Sequence, residues 1–310
     1  MKKVVLAFMA FACIAMTLQG RVLRVNNVES NAPYADIQAA VRAAEDGDTI
    51  MVDGSPKEYE KTTLSKRVVL IGPGYFLRED GITTEADREA RVDGLEVQKE
   101  GTVIKGMRIG GWYSLEIKAP RVVITRCYIS SWEGIKFSSG ADNCTLHQNF
   151  IVDDIVGDGK TYYHQITNNI CKQLGIGDVH DSYIYYNTIY QKSPLTFHNA
   201  TDNRVAYNIV HGKDFGKDDQ GNNLKDNTYL DNLAIDDDEL FNGVETDLDV
   251  QNCMKQMSSS VSKRYGAFAG TAPYILAGVP TAPVIESIDM PTSVEQGSKM
   301  SVTIKLGQGR

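Results

Sequence analysis

An apolar residue three positions before an Asn recurs through the middle of the chain. Leu146 precedes Asn149, Ile166 precedes Asn169, Ile184 precedes Asn187, Val205 precedes Asn208 and Leu224 precedes Asn227. Two earlier segments keep the apolar residue and change the polar one, with Ile104 before Met107 and Ile124 before Cys127. The intervals along this apolar column are 20, 22, 20, 18, 21 and 19 residues. A second column, two residues past the polar slot, runs Ile109, Ile129, Ile151, Cys171, Ile189, Val210 and Tyr229. Between the columns lie short β-branched and aromatic runs broken by Gly, Asn and Asp, which is strand-and-turn composition. A period near 20 with several short strands per repeat reads as the coil of a parallel β-solenoid. Successive coils stack about 4.8 Å apart. Asn149, Asn169, Asn187, Asn208 and Asn227 then form a ladder whose amides hydrogen-bond along the stack.

A solenoid exposes an apolar end and needs a cap. Residues 34–44 are Ala-rich with helical spacing, end at Glu45-Asp46-Gly47-Asp48 and lead into the strand-like Thr49-Ile50-Met51-Val52. They are expected to form an N-terminal capping helix. Met1-Lys2-Lys3 followed by an apolar run to Met16 reads as a secretory signal, with cleavage near Gly20. Cys13 offers a lipoprotein alternative, which Phe11 fits poorly. The expected organisation is a signal at 1–20, a cap at 21–66 and coils over 67–232. An irregular or helical segment at 233–279 and a Pro-rich linker with a terminal strand at 280–310 complete it. Val68-Val69-Leu70-Ile71-Gly72 reads as the first full coil strand, and the charged residues 77–100 as an excursion. A helix is expected over 246–262 and a strand over 299–306, the tail serving as a C-terminal cap or an added edge strand. The acidic run 236–239 lacks EF-hand spacing and reads as a solvated loop.

The formal charge is −8, and removing the signal with Lys2 and Lys3 makes it −10. That balance disfavours a nucleic-acid partner. No apolar stretch is long enough to span a membrane. The four cysteines after residue 20 are Cys127, Cys144, Cys171 and Cys253. Their places in the coil register keep the first three apart, so these are expected as free, buried thiols.

The run from Tyr34 to Phe76, "YADIQAAVRAAEDGDTIMVDGSPKEYEKTTLSKRVVLIGPGYF", resembles the opening of secreted right-handed parallel β-helix proteins of the pectin-lyase-like superfamily. The resemblance covers about residues 30–232. The tail "YGAFAGTAPYILAGVPTAPVIESI" is similar to the end of secreted β-helix proteins of Bacteroidetes type. The resemblance implies an all-β, right-handed parallel β-helix exported by a Gram-negative bacterium to the periplasm, the surface or the medium. It leaves activity open, because the superfamily includes polysaccharide-active enzymes and non-catalytic surface proteins.

The functional candidates lie past each ladder slot. Nine residues on stand Lys136, Asp158, Asp178, Thr196 and Lys217, and eleven on stand Ser138, Lys160, His180, His198 and Asp219. On an alternating strand these make a polar outward groove suited to an extended polysaccharide. Asp158 and Asp178, one strand spacing apart, are candidates to hold Ca²⁺ or to act as a carboxylate pair. Lys160, His180 and His198 are candidates to move a proton. Lys136, Trp132, Tyr162 and Tyr163, with Trp112 and Tyr113, are candidates to contact sugar. The resemblance to polygalacturonases stops at Asp153-Asp154, since no G-H-G or R-I-K follows. No Arg stands between Arg126 and Arg204 to serve as a lyase base. The expected function is a monomeric protein engaging extracellular polysaccharide, with no cofactor other than Ca²⁺. The alternatives are a polysaccharide lyase or glycoside hydrolase at the groove, and a structural or adhesive module that binds protein.

Overall fold

The structure is a computed structural model and describes residues 20–28, 32–77, 88–191, 195–212, 215–217, 226–235, 263–279, 283–289 and 303–308. Three parallel sheets wrap one apolar interior in about eight turns of about 20 residues. Sheet A has ten strands, from Val22–Val25 to Thr228–Leu230. Sheet B and sheet C have eight strands each, and each coil runs A to B to C. The column Ile50, Leu70, Ile104, Ile124, Leu146, Ile166, Ile184 and Val205 is fully buried in sheet A. Ile109, Ile129, Ile151, Cys171, Ile189 and Val210 face it from sheet B. Each such Ile or Leu contributes about 1.5–3 kcal/mol by leaving water.

The capping helix, α1, spans Ile37–Ala43, and Asp36 caps it by accepting from the Ala39 N–H at 2.6 Å. Its face of Ile37, Ala40 and Val41 is buried over the first coils. The expected excursion at 77–100 is narrower in the structure. Arg91–Val92 and Leu95–Val97 are ordinary strands of sheets B and C. The charged stretch 78–87 lies outside the described residues, as do 1–19, the acidic run 236–239, Cys253 and the expected helix at 246–262.

The Asn ladder turns the corner from sheet A to sheet B. Asn169 Oδ1 accepts the Asn149 N–H at 2.8 Å, and Asn169 Nδ2 donates to the Leu146 carbonyl at 2.9 Å. Asn149, Asn187 and Asn208 repeat this arrangement. The last rung differs from the sequence expectation. Val205 pairs with Tyr229, and Asn208 donates its N–H to Asn232 at 3.0 Å, so Asn232 replaces Asn227 in the ladder. Leu224 lies outside the described residues, and Tyr229 belongs to the sheet A column. The cause is a longer last connection, which moves the register by five residues from Asn227 to Asn232.

Asn227 joins a second ladder at the corner from sheet C to sheet A. The Asn203 N–H donates to Asn227 Oδ1, Ser182 to Asn203 Oδ1, His164 to Ser182 Oγ and Cys144 to His164 Nδ1, at 2.9, 2.9, 2.8 and 3.3 Å. Cys127, Cys144 and Cys171 are free and buried, and burial pushes the Cys127 and Cys144 thiols up to about 12.

Both corners place one residue per coil in the left-handed region. Before the Asn ladder these are Gly106, Arg126, Gln148, Asn168, Tyr186, Tyr207 and Asp231, with φ between 49° and 61°. A side chain there costs about 1–2 kcal/mol relative to a right-handed conformation. The same side chains hold a strap, residues 263–279, against the outside of sheet B. Asn168 Nδ2 donates to the carbonyls of Ala267 and Ala269 at 3.0 and 2.8 Å. Gln148 reaches Ala272 and Pro273, Arg126 reaches the Val279 carbonyl, and Arg264 pairs with Asp231. Under the strap Tyr128, Phe150, Ile170 and Ile209 form a second apolar cluster with Ala267 and Tyr274. Strands Pro283–Asp289 and Thr303–Gln308 pair antiparallel with each other, so the terminal strands do not extend a solenoid sheet.

Candidate functional site

The strands of sheet C carry the predicted groove residues from Lys136 to His198 in a different register from the expected one, and Asp219 lies outside the described residues. Glu96, Glu116, Lys136, Val156, Gly177 and His198 are successive partners across the sheet. Asp158 lies opposite Ser138, and Thr196 opposite Gly175 and Lys217. The two straight lines of polar side chains therefore do not form. Strand Ile155–Tyr162 shifts register between Val156 and Thr161, so Asp158, Gly159 and Lys160 stand in an exposed bulge. Asp178 sits in the left-handed region at φ 51° and accepts from Asn199 Nδ2 at 2.5 Å. Asp158 and Asp178 are thus not directly opposite one another. Among the described residues no group of three His, Cys, Asp or Glu side chains converges on a metal position.

The two histidines part as well. His198 is exposed opposite Gly177, whereas His180 lies opposite Tyr162 and is only 5% exposed. Its Nδ1 is 3.0 Å from Thr201 Oγ1, and its ring lies 5.4 Å from that of Tyr162. Asp154 accepts the Gly175 N–H at 2.8 Å, which makes it part of the frame between two coils.

Along the N-terminal half of sheet C the charges satisfy one another. Lys118 Nζ lies 3.1 Å from Glu96 and 3.0 Å from Glu116, and Lys136 lies 2.7 Å from Glu133. The hydrogen bond from Gln98 and the Lys118 ammonium hold the Glu96 carboxyl below its usual range. Lys61 sits 4.5 Å over the Tyr113 ring.

The aromatic side chains gather at two places. Gly111 pairs with Ser131, so Trp112 and Trp132 begin the same B-to-C turn in consecutive coils. They are 81% and 80% exposed, and they are the chain's two tryptophans. Asp93 fixes the first by accepting the Trp112 N–H at 2.9 Å, and the Trp132 N–H donates to the Gly111 carbonyl at 3.3 Å. Tyr113 is 46% exposed beside them. Tyr163 is at the opposite edge of sheet C, at the C-to-A turn, while Tyr162 is half-buried against His180.

At the C-to-A turn the predicted Tyr163 is joined by residues that the sequence reading missed. With Asp181, Tyr183, Thr201, Asp202, Arg204, Asp226 and Thr228 it lines an open cleft of about 810 Å³. Their signal was the triplet Asp181-Ser182-Tyr183, Asp202-Asn203-Arg204 and Asp226-Asn227-Thr228, which repeats in three consecutive coils.

Comparison of the chain with protein-family models, curated proteins and solved structures gave no match.

Proposed function

We propose that this chain is a secreted or surface β-solenoid protein of the pectin-lyase-like kind that binds extracellular polysaccharide without cleaving it. The observation that carries this reading is the pair Trp112 and Trp132, about 80% exposed at the same turn of consecutive coils. An indole gains by leaving water, and a monomer has no structural use for two such rings on its surface. Flat apolar faces at the edge of a polar sheet suit the C–H faces of sugar rings, whose hydroxyls reach polar groups such as Glu133 and Lys136. The neighbouring ion pairs are already internally matched and the overall charge is negative, so a neutral glycan fits better than an acidic one.

Calorimetry of residues 21–310 against soluble xylan, mannan, β-glucan and pectin tests this. Wild type is expected to bind a neutral glycan. Trp112→Ala and Trp132→Ala should each weaken binding about tenfold, a hot-spot loss of about 1.4 kcal/mol. Equal affinities for wild type and both variants, or no binding to any glycan, would overturn the reading. Release of unsaturated, ultraviolet-absorbing product from pectin would replace it with the lyase alternative.

A further inference from the structure

The cleft at the C-to-A turn combines groups of three kinds. Tyr163 and Tyr183, 56% and 42% exposed, supply aromatic faces at its rim. Tyr183, Arg204 and Thr228 are direct partners in successive strands of sheet A, so one column presents a ring, a guanidinium and a hydroxyl. Asp181, Asp202 and Asp226 occupy the equivalent turn position in the same three coils, tied by Asp181 N–H to Thr201 O and Asp202 N–H to Asp226 O. Among the described residues Arg204 makes no ion pair, although three carboxylates line the same cleft. Thr201 Oγ1 holds Asp202 at 2.9 Å.

The ligand class follows by charge and by donor count. Three carboxylates against one guanidinium repel an anion. A metal ion needs convergent ligands, and among the described residues no three converge. An organic cation would meet Arg204. A neutral, polyhydroxylated ring uses everything present: its hydroxyls donate to Asp181, Asp202 and Asp226, accept from Arg204 and Thr228, and its C–H face covers Tyr163 or Tyr183.

We infer that this cleft is a second carbohydrate subsite, taking a neutral sugar unit independently of the tryptophan pair. The two subsites lie on opposite edges of sheet C, the tryptophans before its strands and the cleft after them. One long chain crossing the sheet would engage both, with a gain from linked binding that a short oligosaccharide lacks. The choice of sugar as ligand rests on the polysaccharide reading, whereas the location of the subsite does not.

The test is a nuclear magnetic resonance titration of residues 21–310 with neutral xylo-, manno- and gluco-oligosaccharides. It follows the indole N–H signals of Trp112 and Trp132 together with the Arg204 guanidinium and the Tyr163 and Tyr183 rings. Both sets should shift, and Tyr183→Ala or Arg204→Met should remove the second set while leaving the indole shifts intact, which also reports an intact fold. The same variants should weaken binding of the full-length polysaccharide about tenfold. Shifts confined to the indoles would overturn the cleft subsite and keep the tryptophan reading. Shifts confined to the cleft would keep the subsite and overturn the tryptophan reading. Shifts at neither would overturn both.

Discussion

At the corner between sheets A and B, every coil from Asn149 to Asn232 uses an amide. At the corner between sheets C and A, the equivalent ladder holds Cys144, His164, Ser182, Asn203 and Asn227. Both corners need one acceptor per coil for a backbone N–H that the strands leave behind. An Asn supplies more than that. Its Nδ2 reaches back to a carbonyl of the preceding coil and also donates to the next Oδ1, as Asn169 does to Asn187 at 2.9 Å. Ser182 accepts from His164 but spends its proton on the His180 carbonyl of its own coil. His164 accepts through Nδ1 and leaves Nε2 buried without a partner, its ring stacked on Phe137 at 4.2 Å. The lesson is that stacking tolerates varied acceptors, while the amide alone ties each coil to both neighbours through side chains.

The largest expected difference is in acid. His164 can accept the Cys144 N–H only as a neutral ring, and burial pushes its pKa down from 6.5 to about 4. The unfolded chain takes up this proton first, so the group's contribution is complete above pH 6.5 and lost as pH falls toward 4. The loss is about 3 kcal/mol. His164→Asn would extend the amide pattern and should remove that loss. The gap in unfolding free energy between variant and wild type, followed from pH 7 to pH 4, should change by this amount in favour of the variant. A gap independent of pH would show that the ring is not held neutral.

Next in size is Asn169→Ala, which strands the Asn149 N–H and the Leu146 carbonyl inside the stack and should cost about 2–3 kcal/mol. Ser182→Ala strands only the His164 N–H and should cost about 1 kcal/mol. Denaturant titrations of the two variants compare the corners directly, and equal losses would remove the distinction between them.

The Asn corner was legible because one residue type repeats in fixed register with two apolar columns. The mixed corner was not, since Cys144, His164 and Ser182 share no side-chain type. The left-handed columns escaped for a similar reason: Arg126, Gln148 and Tyr186 stand where glycine is the usual sign. The register expected for the groove differs for a geometric reason. Offsets counted from the ladder hold only while the turns between sheets B and C keep their length. The partners Glu116, Lys136, Val156, Gly177 and His198 instead fall nine, nine, seven, eight and eleven residues beyond their slots. The bulge at Asp158–Lys160 then moved the predicted carboxylate out of line with Asp178. The exposed tryptophans were visible as residue types, but their equivalence required the pairing of Gly111 with Ser131.

The strap has a consequence for how such a molecule comes apart. A stack of coils is close to a one-dimensional chain of nearest-neighbour couplings, which can fray from its free end one unit at a time. The segment from Arg264 to Val279 runs back over that stack, touching Asp231, Tyr207, Asn168, Gln148 and Arg126 in turn, and near its tail the Ala277 carbonyl accepts the Tyr75 N–H. The last described coil is thereby coupled to one near the start. Losing it first requires peeling a cover whose attachments reach most of the way to the helical cap. A column of linked but locally independent units becomes a closed circuit, and its unfolding becomes a single cooperative event.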